Sequence, residues 1–430
     1  MSSENDIKAD MVPSIADATR VWWKIGILSF GGPAAQIALM HKEVVDDRKW
    51  LSEQQFLNAL SFCMLLPGPE AMQLATYAGW RLHGTIGGLI AGLLFVIPGA
   101  AVIMALAAIY SIYGNVPLVD ALFYGIRAAV LVIVVEALLR VSKKALGQAQ
   151  HWVIAGVAFV GIFFLTIPYP LIVLMAGLYG LFTAPTRLAQ DKVDMTHVSV
   201  RKTAGTIILW LAIWLLPLLA LTWLGAPDLL VQVGRFFSTL GIVTFGGAYA
   251  VLAYMAQDVV VQFGWLSAGE MIDALALAET TPGPLILVTQ FVGFLAGFKE
   301  GGLLLGLSAA VVALWVTFAP CFLWIFAGAP YIEWISNQPR LKGALKAITA
   351  AVVGVILNLS LWFALHVLFT NVSRETLGPV TLWRPDLATI EWLAVALFLL
   401  SCFLAFRLHW GIIRILLVAA LLGAALRLFL

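Results

Sequence analysis

Apolar residues run along this chain in blocks of about 20, the length that crosses a bilayer, separated by short polar or Gly/Pro-rich breaks. The blocks begin near Val21, Phe56, Ile86, Val119, Trp152, Tyr169, Gly205, Leu229, Ile272, Gly302, Gly343, Glu391 and Gly411. These roughly thirteen segments predict an all-α polytopic integral membrane protein. The segments at Trp152 and Tyr169 are short and divided by Ile167-Pro168-Tyr169-Pro170, which leaves two spans or one kinked span open. Two other segments are broken by the same triplet, Pro67-Gly68-Pro69 and Pro282-Gly283-Pro284. Proline removes a backbone donor and glycine frees the backbone, so neither break predicts a continuous helix.

The repetition extends beyond the triplets. Arg20 to Pro69 aligns without a gap on Arg235 to Pro284, with 19 of 50 positions identical, so the chain is an internal duplication. Shared positions include Phe30-Gly31-Gly32 with Phe245-Gly246-Gly247, and Trp50-Leu51-Ser52 with Trp265-Leu266-Ser267. Further on, Gly87-Gly88 is matched with Gly301-Gly302 and Pro98 with Pro320. The expected layout is a cytoplasmic tail at 1–19, one repeat at 20–184, a linker with a topology-inverting segment at 185–228, and a second repeat at 229–430. One extra segment between two six-segment halves inverts the second half. Inverted repeats place a substrate site near the midplane, where broken helices of both halves meet.

The charge distribution refines this picture. If every segment spans with the N-terminus inside, Arg140, Lys143, Lys144, Arg187, Lys192, Arg201 and Lys202 are cytoplasmic, but Lys42, Arg48 and Lys49 fall outside, against the positive-inside rule. The mismatch disappears if the FGG and PGP segments are re-entrant hairpins of two half-helices. About nine full spans then remain.

A mean hydropathy of +0.98, with 62% hydrophobic and 11% charged residues, leaves no room for a large soluble domain. The net charge of +2 is scattered and excludes a nucleic-acid footprint. Cys63, Cys321 and Cys402 lack metal or disulfide spacing, and the six His form no metal or nucleophile motif, so neither cofactor nor metal is expected. No cleavable signal sequence is expected in the acidic first twenty residues.

Non-helical backbone at membrane depth is tolerated where it is buried in protein or lines a cavity. Helix N-termini after Pro69 and Pro284, amide nests at Gly31-Gly32 and Gly246-Gly247, and the hydroxyls of Thr244, Thr280 and Thr281 point to an anion. Helix kinking and small-residue packing are the structural alternatives. Arg20, Arg81 and Arg235 are candidate attracting charges, with interfacial snorkelling or topology as their other readings. Glu43, Glu70, Asp258 and Glu279 are candidate proton carriers or ion-pair partners, and Arg127 with Glu136 is an expected structural pair between helices.

The strings FGGPAAQIALMHKEVVDDRKWLS, LLPGPEAMQLATYAGWRLHG, TFGGAYAVLAYM and ETTPGPLILVTQFVGFLAG resemble the two halves of the long, two-domain chromate ion transporter family. That resemblance implies a bacterial inner-membrane protein, N-terminus cytoplasmic, that exports chromate and confers resistance. It carries the family's motif onto Gly31, Gly32, Pro33, Pro67, Gly68, Pro69, Gly246, Gly247, Pro282, Gly283 and Pro284. Ala248 stands where the first half has Pro33, and Leu285 where it has Glu70, so the halves need not contribute equally. The expected partners are a small inorganic oxyanion and the lipid bilayer, with homodimerisation left open. Export is expected to be driven by membrane potential, with proton exchange at Glu43, Glu70 or Glu279 as an added coupling. A carrier of sulfate or another oxyanion, and more remotely a membrane enzyme acting on a phosphorylated lipid, remain alternatives.

Overall fold

The computed structural model describes residues 13–114, 116–184, 199–245, 248–336 and 338–429. Gly246 and Gly247, and the linker from 185 to 198, lie outside the described residues. In chain order the helices of the first half are α1 (Ile15–Leu28), α2 (Gly32–His41), α3 (Glu53–Cys63), α4 (Glu70–Tyr113), α5 (Pro117–Ala145), α6 (Ala149–Phe163) and α7 (Tyr169–Thr183). Helix α8 (Val200–Trp223) stands between the halves. The second half holds α9 (Asp228–Val243), α10 (Ala248–Gln257), α11 (Ala268–Thr280), α12 (Val288–Gly328), α13 (Ile332–Ser336), α14 (Pro339–Leu368), α15 (Trp392–Cys402) and α16 (Ile412–Phe429). The chain is not purely helical. Val372–Leu377 (β1) and Val380–Pro385 (β2) pair antiparallel between α14 and α15, closed by Gly378 at φ 61.

Among the described residues five helical stretches are long and apolar enough to cross a membrane: Glu70–Tyr113, Pro117–Ala145, Val200–Trp223, Leu285–Tyr331 and Pro339–Leu368. By contrast α1, α2, α3, α10 and α11 have 14, 10, 11, 10 and 13 residues. At about 1.5 Å per residue none reaches the roughly 30 Å of a hydrocarbon core. The IPYP break separates α6 from α7, each of 15 residues.

The duplication is visible residue by residue. A π-helical turn follows α2 at Lys42–Asp47 and α10 at Asp258–Gln262. Ser52 with Gln55, and Ser267 with Glu270, form capping boxes at the starts of α3 and α11, each satisfying two orphan amides. Helix α4 bends at His83-Gly84 and α12 at Gly301-Gly302, with Gly84 at φ 61, ψ −154 and Gly302 at φ 74, ψ −163. The bends therefore pair Gly84 with Gly302. The sequence match of Gly87-Gly88 to Gly301-Gly302 is out of register, because a left-handed φ and not glycine content marks the bend. Gly87 and Gly88 instead sit in helix, where Gly87 faces the backbone of Gly79 and Gly88 the ring of Phe326. Pro98 and Pro320 do correspond: Gly26 of α1 lies against Leu94 O and Pro98, and Gly241 of α9 against Val316 O and Pro320.

The two halves interlock. Helix α5 packs on α15 and α16, and α14 packs on α6 and α7, so each half's long helix is gripped by the other half's closing pair. Glycines allow the close approach: Gly125 faces Ala419 O, Gly180 faces Gly343 O, and Gly354 faces Ala155 O.

Candidate functional site

Helices α1 and α9 end at Ser29 and Thr244, equivalent residues just before the FGG motifs. Their carbonyls are taken by the opposite half: Gly68 N–H donates to Thr244 O at 2.8 Å, and Gly283 N–H donates to Ser29 O at 2.9 Å. Each PGP break is thus held by the loop that precedes the other half's FGG. Gly68 and Gly283 sit at φ 121 and 87, a region that favours glycine, and this turns their N–H groups toward the partner half.

Beyond the first break Pro69 caps α4 and Glu70 opens it, and the first intrahelical bond, Gln73 N–H to Pro69 O, spans 3.1 Å. Beyond the second, Pro284 opens a single 3-10 turn, Leu285–Leu287, that runs into α12. Gly31 and Gly32, at φ 86 and 78, start α2, with Pro33 in its first turn. These three helix starts surround one small cavity of about 20 Å³, lined by Pro33, Gln36, Pro69, Glu70, Ala71, Pro284, Leu285 and Ile286. That volume is room for about one water. None of the lining residues is Lys or Arg, so what attracts an anion there is the helix N-termini, each equivalent to about half a positive charge. Glu70 opens α4 at such an end and brings a carboxylate to the lining.

Two buried glutamines brace the breaks and a third ties α12 to α4, and a search for charges passes over them. Gln36 Nε2 donates to Gly283 O at 2.7 Å and to Ser29 O at 3.2 Å, tying α2 to the other half's break. Gln73 Nε2 donates to Pro67 O at 2.7 Å, and Gln290 Nε2 donates to Ala100 O at 3.2 Å. The Oε1 of each is buried with no partner among the described residues. These are spare acceptors, suited to water or a protonated group and not to an anion.

The remaining candidates are dispersed. The Arg20 side chain is 82% exposed and pairs with Asp17 at 3.3 Å, and Arg81 and Arg235 are exposed. None of the three lines the cavity. The hydroxyls of Thr244, Thr280 and Thr281 donate to Leu240 O, Leu277 O and Ala278 O. Glu43 accepts from Lys24 and Arg48, each at 2.6 Å. Burial would raise its pKa, but these two cations outweigh burial and hold it below the ordinary value. Its equivalent, Asp258, has no cation partner among the described residues, and burial pushes it up to about 6 against a weaker hydrogen bond from Tyr254. Glu279, buried just before the second break, accepts from Tyr249 O–H. Lys144 is the cation whose field reaches Glu70, and Arg140 the one whose field reaches Glu279.

Arg127 and Glu136 do not pair. Nine residues along a helix is two and a half turns, which sets them on opposite sides. Arg127 binds Asp273 of α11, with Nη2 to Oδ2 at 2.7 Å, and Glu136 binds Arg140 one turn away at 2.7 Å. Among the described residues no group of three or more His, Cys, Asp or Glu is arranged to hold a metal.

Comparison with known proteins adds the context for this geometry. A family described as chromate transporter matches the chain twice, over residues 16–181 and 231–424. A probable chromate transport protein of Synechococcus elongatus is 30% identical over 360 residues, covering 80% of this chain and 83% of that protein. The chromate transport protein of Cupriavidus metallidurans is 29% identical, covering 77% and 78%, and that of Pseudomonas aeruginosa is 32% identical, covering 77% of each. No solved structure matches the chain.

Proposed function

The chain belongs to the chromate transporter family, and from that premise we propose that it exports chromate from the cytoplasm through the cavity where its two Pro-Gly-Pro breaks meet. It is a membrane-embedded transport protein and not an enzyme. The observation that carries the reading is the convergence of three helix N-termini, drawn from both halves, on one cavity. A tetrahedral oxyanion needs more room than one water, so substrate enters when one half rocks against the other and closes behind it. Moving a dianion out of a cell held 100 mV negative gains about 4.6 kcal/mol, twice the single-charge value of about 2.3. Export therefore runs down the potential, with Glu70 and Glu279 beside the breaks as the acids for any proton exchange.

The proposed topology has four re-entrant hairpins, α1–α2, α3 with the first leg of α4, α9–α10, and α11 with the first leg of α12, with the N-terminus cytoplasmic in a bacterial inner membrane. Short α13 supports it. It is tied through Tyr331 to Thr203 at 3.0 Å, beside Arg201 and Lys202, and it packs on α3. In the proposed topology the Ser52 end of α3 lies on the same side as those cations. Labelling of Ser52→Cys from the periplasmic side alone would refute the hairpins.

Energised everted vesicles should accumulate chromate, and Pro69→Ala and Pro284→Ala should reduce the rate. Sulfate in the same assay tests selectivity, because a site of backbone dipoles recognises any tetrahedral dianion of similar size. Failure of wild-type vesicles to accumulate chromate would overturn the export reading.

A further inference from the structure

A second charged cluster lies away from the cavity, on the leg of α11 between Ser267 and the second break. Asp273 is completely buried there. Its carboxylate takes Arg127 Nε at 2.8 Å on one oxygen and Arg127 Nη2 at 2.7 Å on the other, and Tyr110 O–H donates to it at 2.7 Å. Arg127 belongs to α5 and Tyr110 to α4, so these bonds clamp the first half onto the second half's broken segment. The cluster continues outward. Arg127 Nη1 lies 3.7 Å from Asp120, Arg427 Nη2 of α16 lies 3.8 Å from the same carboxylate, and the Arg427 guanidinium sits 4.5 Å over the Tyr124 ring. Tyr124 O–H donates to Glu391 at 3.0 Å, next to the β-hairpin. This is the end of α5 opposite Arg140 and Lys144.

Three features separate the cluster from an ordinary structural pair. A buried pair gains little net stability, because desolvation offsets the attraction, and ionisable groups at membrane depth mark substrate or ion pathways. The Arg127 fork holds Asp273 by two parallel bonds, the same edge-on geometry that a guanidinium offers to two oxygens of a tetrahedral oxyanion. The clamp also exists on one face alone: the residue equivalent to Asp273 in the first half is Asn58, exposed and bonded to Gln54 of its own helix at 2.9 Å.

We propose that Arg127 is a second oxyanion-binding station between the cavity and the outer face, and that Asp273 is the tethered carboxylate that occupies it until substrate arrives. The proposal rests on the oxyanion-transport reading. An anion leaving the cavity exchanges with Asp273 on the Arg127 fork, Arg427 adds a second positive charge nearby, and Tyr110 keeps one carboxylate oxygen. Loss of the Arg127–Asp273 bonds releases α11 from α5 and opens the outer face. Their return closes it behind the departing ion.

The test uses the full chain with Cys63, Cys321 and Cys402 replaced by Ala and a reporter cysteine at Ala276→Cys, buried one turn past Asp273. Intact cells are treated with a membrane-impermeant maleimide, and everted vesicles are assayed for chromate and sulfate uptake. Asp273→Asn should speed outside labelling by about tenfold or more, within the range of a 1–3 kcal/mol coupling. Arg127→Lys should lower oxyanion uptake by about tenfold or more, with the protein still folded in size-exclusion chromatography. The exchange variant Arg127→Asp with Asp273→Arg separates the two roles: restored protection from labelling without restored uptake supports the station, and restored uptake overturns it. Labelling indifferent to Asp273→Asn, in a background whose uptake is intact, overturns the clamp. A parent protein that moves neither anion fails the transport reading instead, whatever the labelling shows.

Discussion

Gly26 and Gly241 occupy the same place in the two halves, yet replacing each by alanine should have opposite effects. A Cβ at Gly26 would stand 2.0 Å from Leu94 O, a backbone atom of α4, and 3.3 Å from Pro98 Cγ. Real Cβ contacts do not fall below 3.0 Å, so α1 and α4 must separate by about 1 Å along their contact, and overpacking of this kind costs about 1–3 kcal/mol or more. A Cβ at Gly241 meets Pro320 Cγ and Val316 O, each at 3.4 Å, which is ordinary contact. Both changes also gain up to about 1 kcal/mol of helix propensity. The net expectation is a loss of about 2 kcal/mol for Gly26→Ala and a gain of up to about 1 kcal/mol for Gly241→Ala. Thermal unfolding of the purified protein in detergent, followed by the fluorescence of its 16 tryptophans, should show the midpoint falling for the first and holding or rising for the second. Equal destabilisation by both, or a neutral Gly26→Ala, would refute the packing argument.

The equivalent acids Glu43 and Asp258 should respond to pH in opposite ways. The Glu43 pKa is held below the ordinary 4.5, so its contribution to stability is present above that value and is lost as pH falls through the folded pKa. Glu43→Gln should cost about 1–3 kcal/mol at pH 7, less than a fully buried pair, because the Lys24 and Arg48 side chains are 51% and 31% exposed. That deficit should narrow in acid. Asp258, raised from 3.8 to about 6, contributes stability when protonated, fully below 3.8 and lost as pH rises through about 6. Asp258→Asn should therefore raise the unfolding midpoint at pH 7.5 and converge on wild type near pH 4; a stabilisation that grows in acid would contradict the sign.

Much of the fold was legible because duplication leaves identities in sequence. The PGP triplets and the Ser52 and Ser267 capping residues recur at a fixed spacing, and in both halves they reappear as a left-handed glycine in the break and a capped helix start. The bends in α4 and α12 leave no matching signal in sequence, because His83-Gly84 and Gly301-Gly302 share a conformation and little composition. The hairpin at Val372–Pro385 has a Gly378 turn, but its first strand, Val372–Leu377, is polar from Ser373 to Thr376 and a search for spans finds nothing there. Arg127 illustrates the general difficulty. Its partner, Asp273, is 146 residues away in the other half, and only the exchange of helices between halves brings the two together. For the same reason sequence could point to both breaks as parts of one site without showing that each Gly N–H is held by the opposite half.

The symmetry that places the cavity does not by itself give direction. With identical halves, the state open to one face would be related by the pseudo-twofold to the state open to the other, and the two would have equal energy. On the export reading the membrane potential gives direction, and side chains that break the symmetry set which state the carrier rests in. The backbone at the breaks keeps it, as the matched Gly68–Thr244 and Gly283–Ser29 bonds show. The side chains do not: Glu70 stands opposite Leu285, Glu43 with two cations stands opposite Asp258 with Tyr254, and Asn58 stands opposite the clamped Asp273. A ligand or contact shifts a two-state equilibrium by its differential interaction with the two states. On the proposed topology the Arg127–Asp273 bonds form only when the outer face is closed, so they favour the state that waits for substrate from the cytoplasm. That resting bias resides in residues the repeat did not copy.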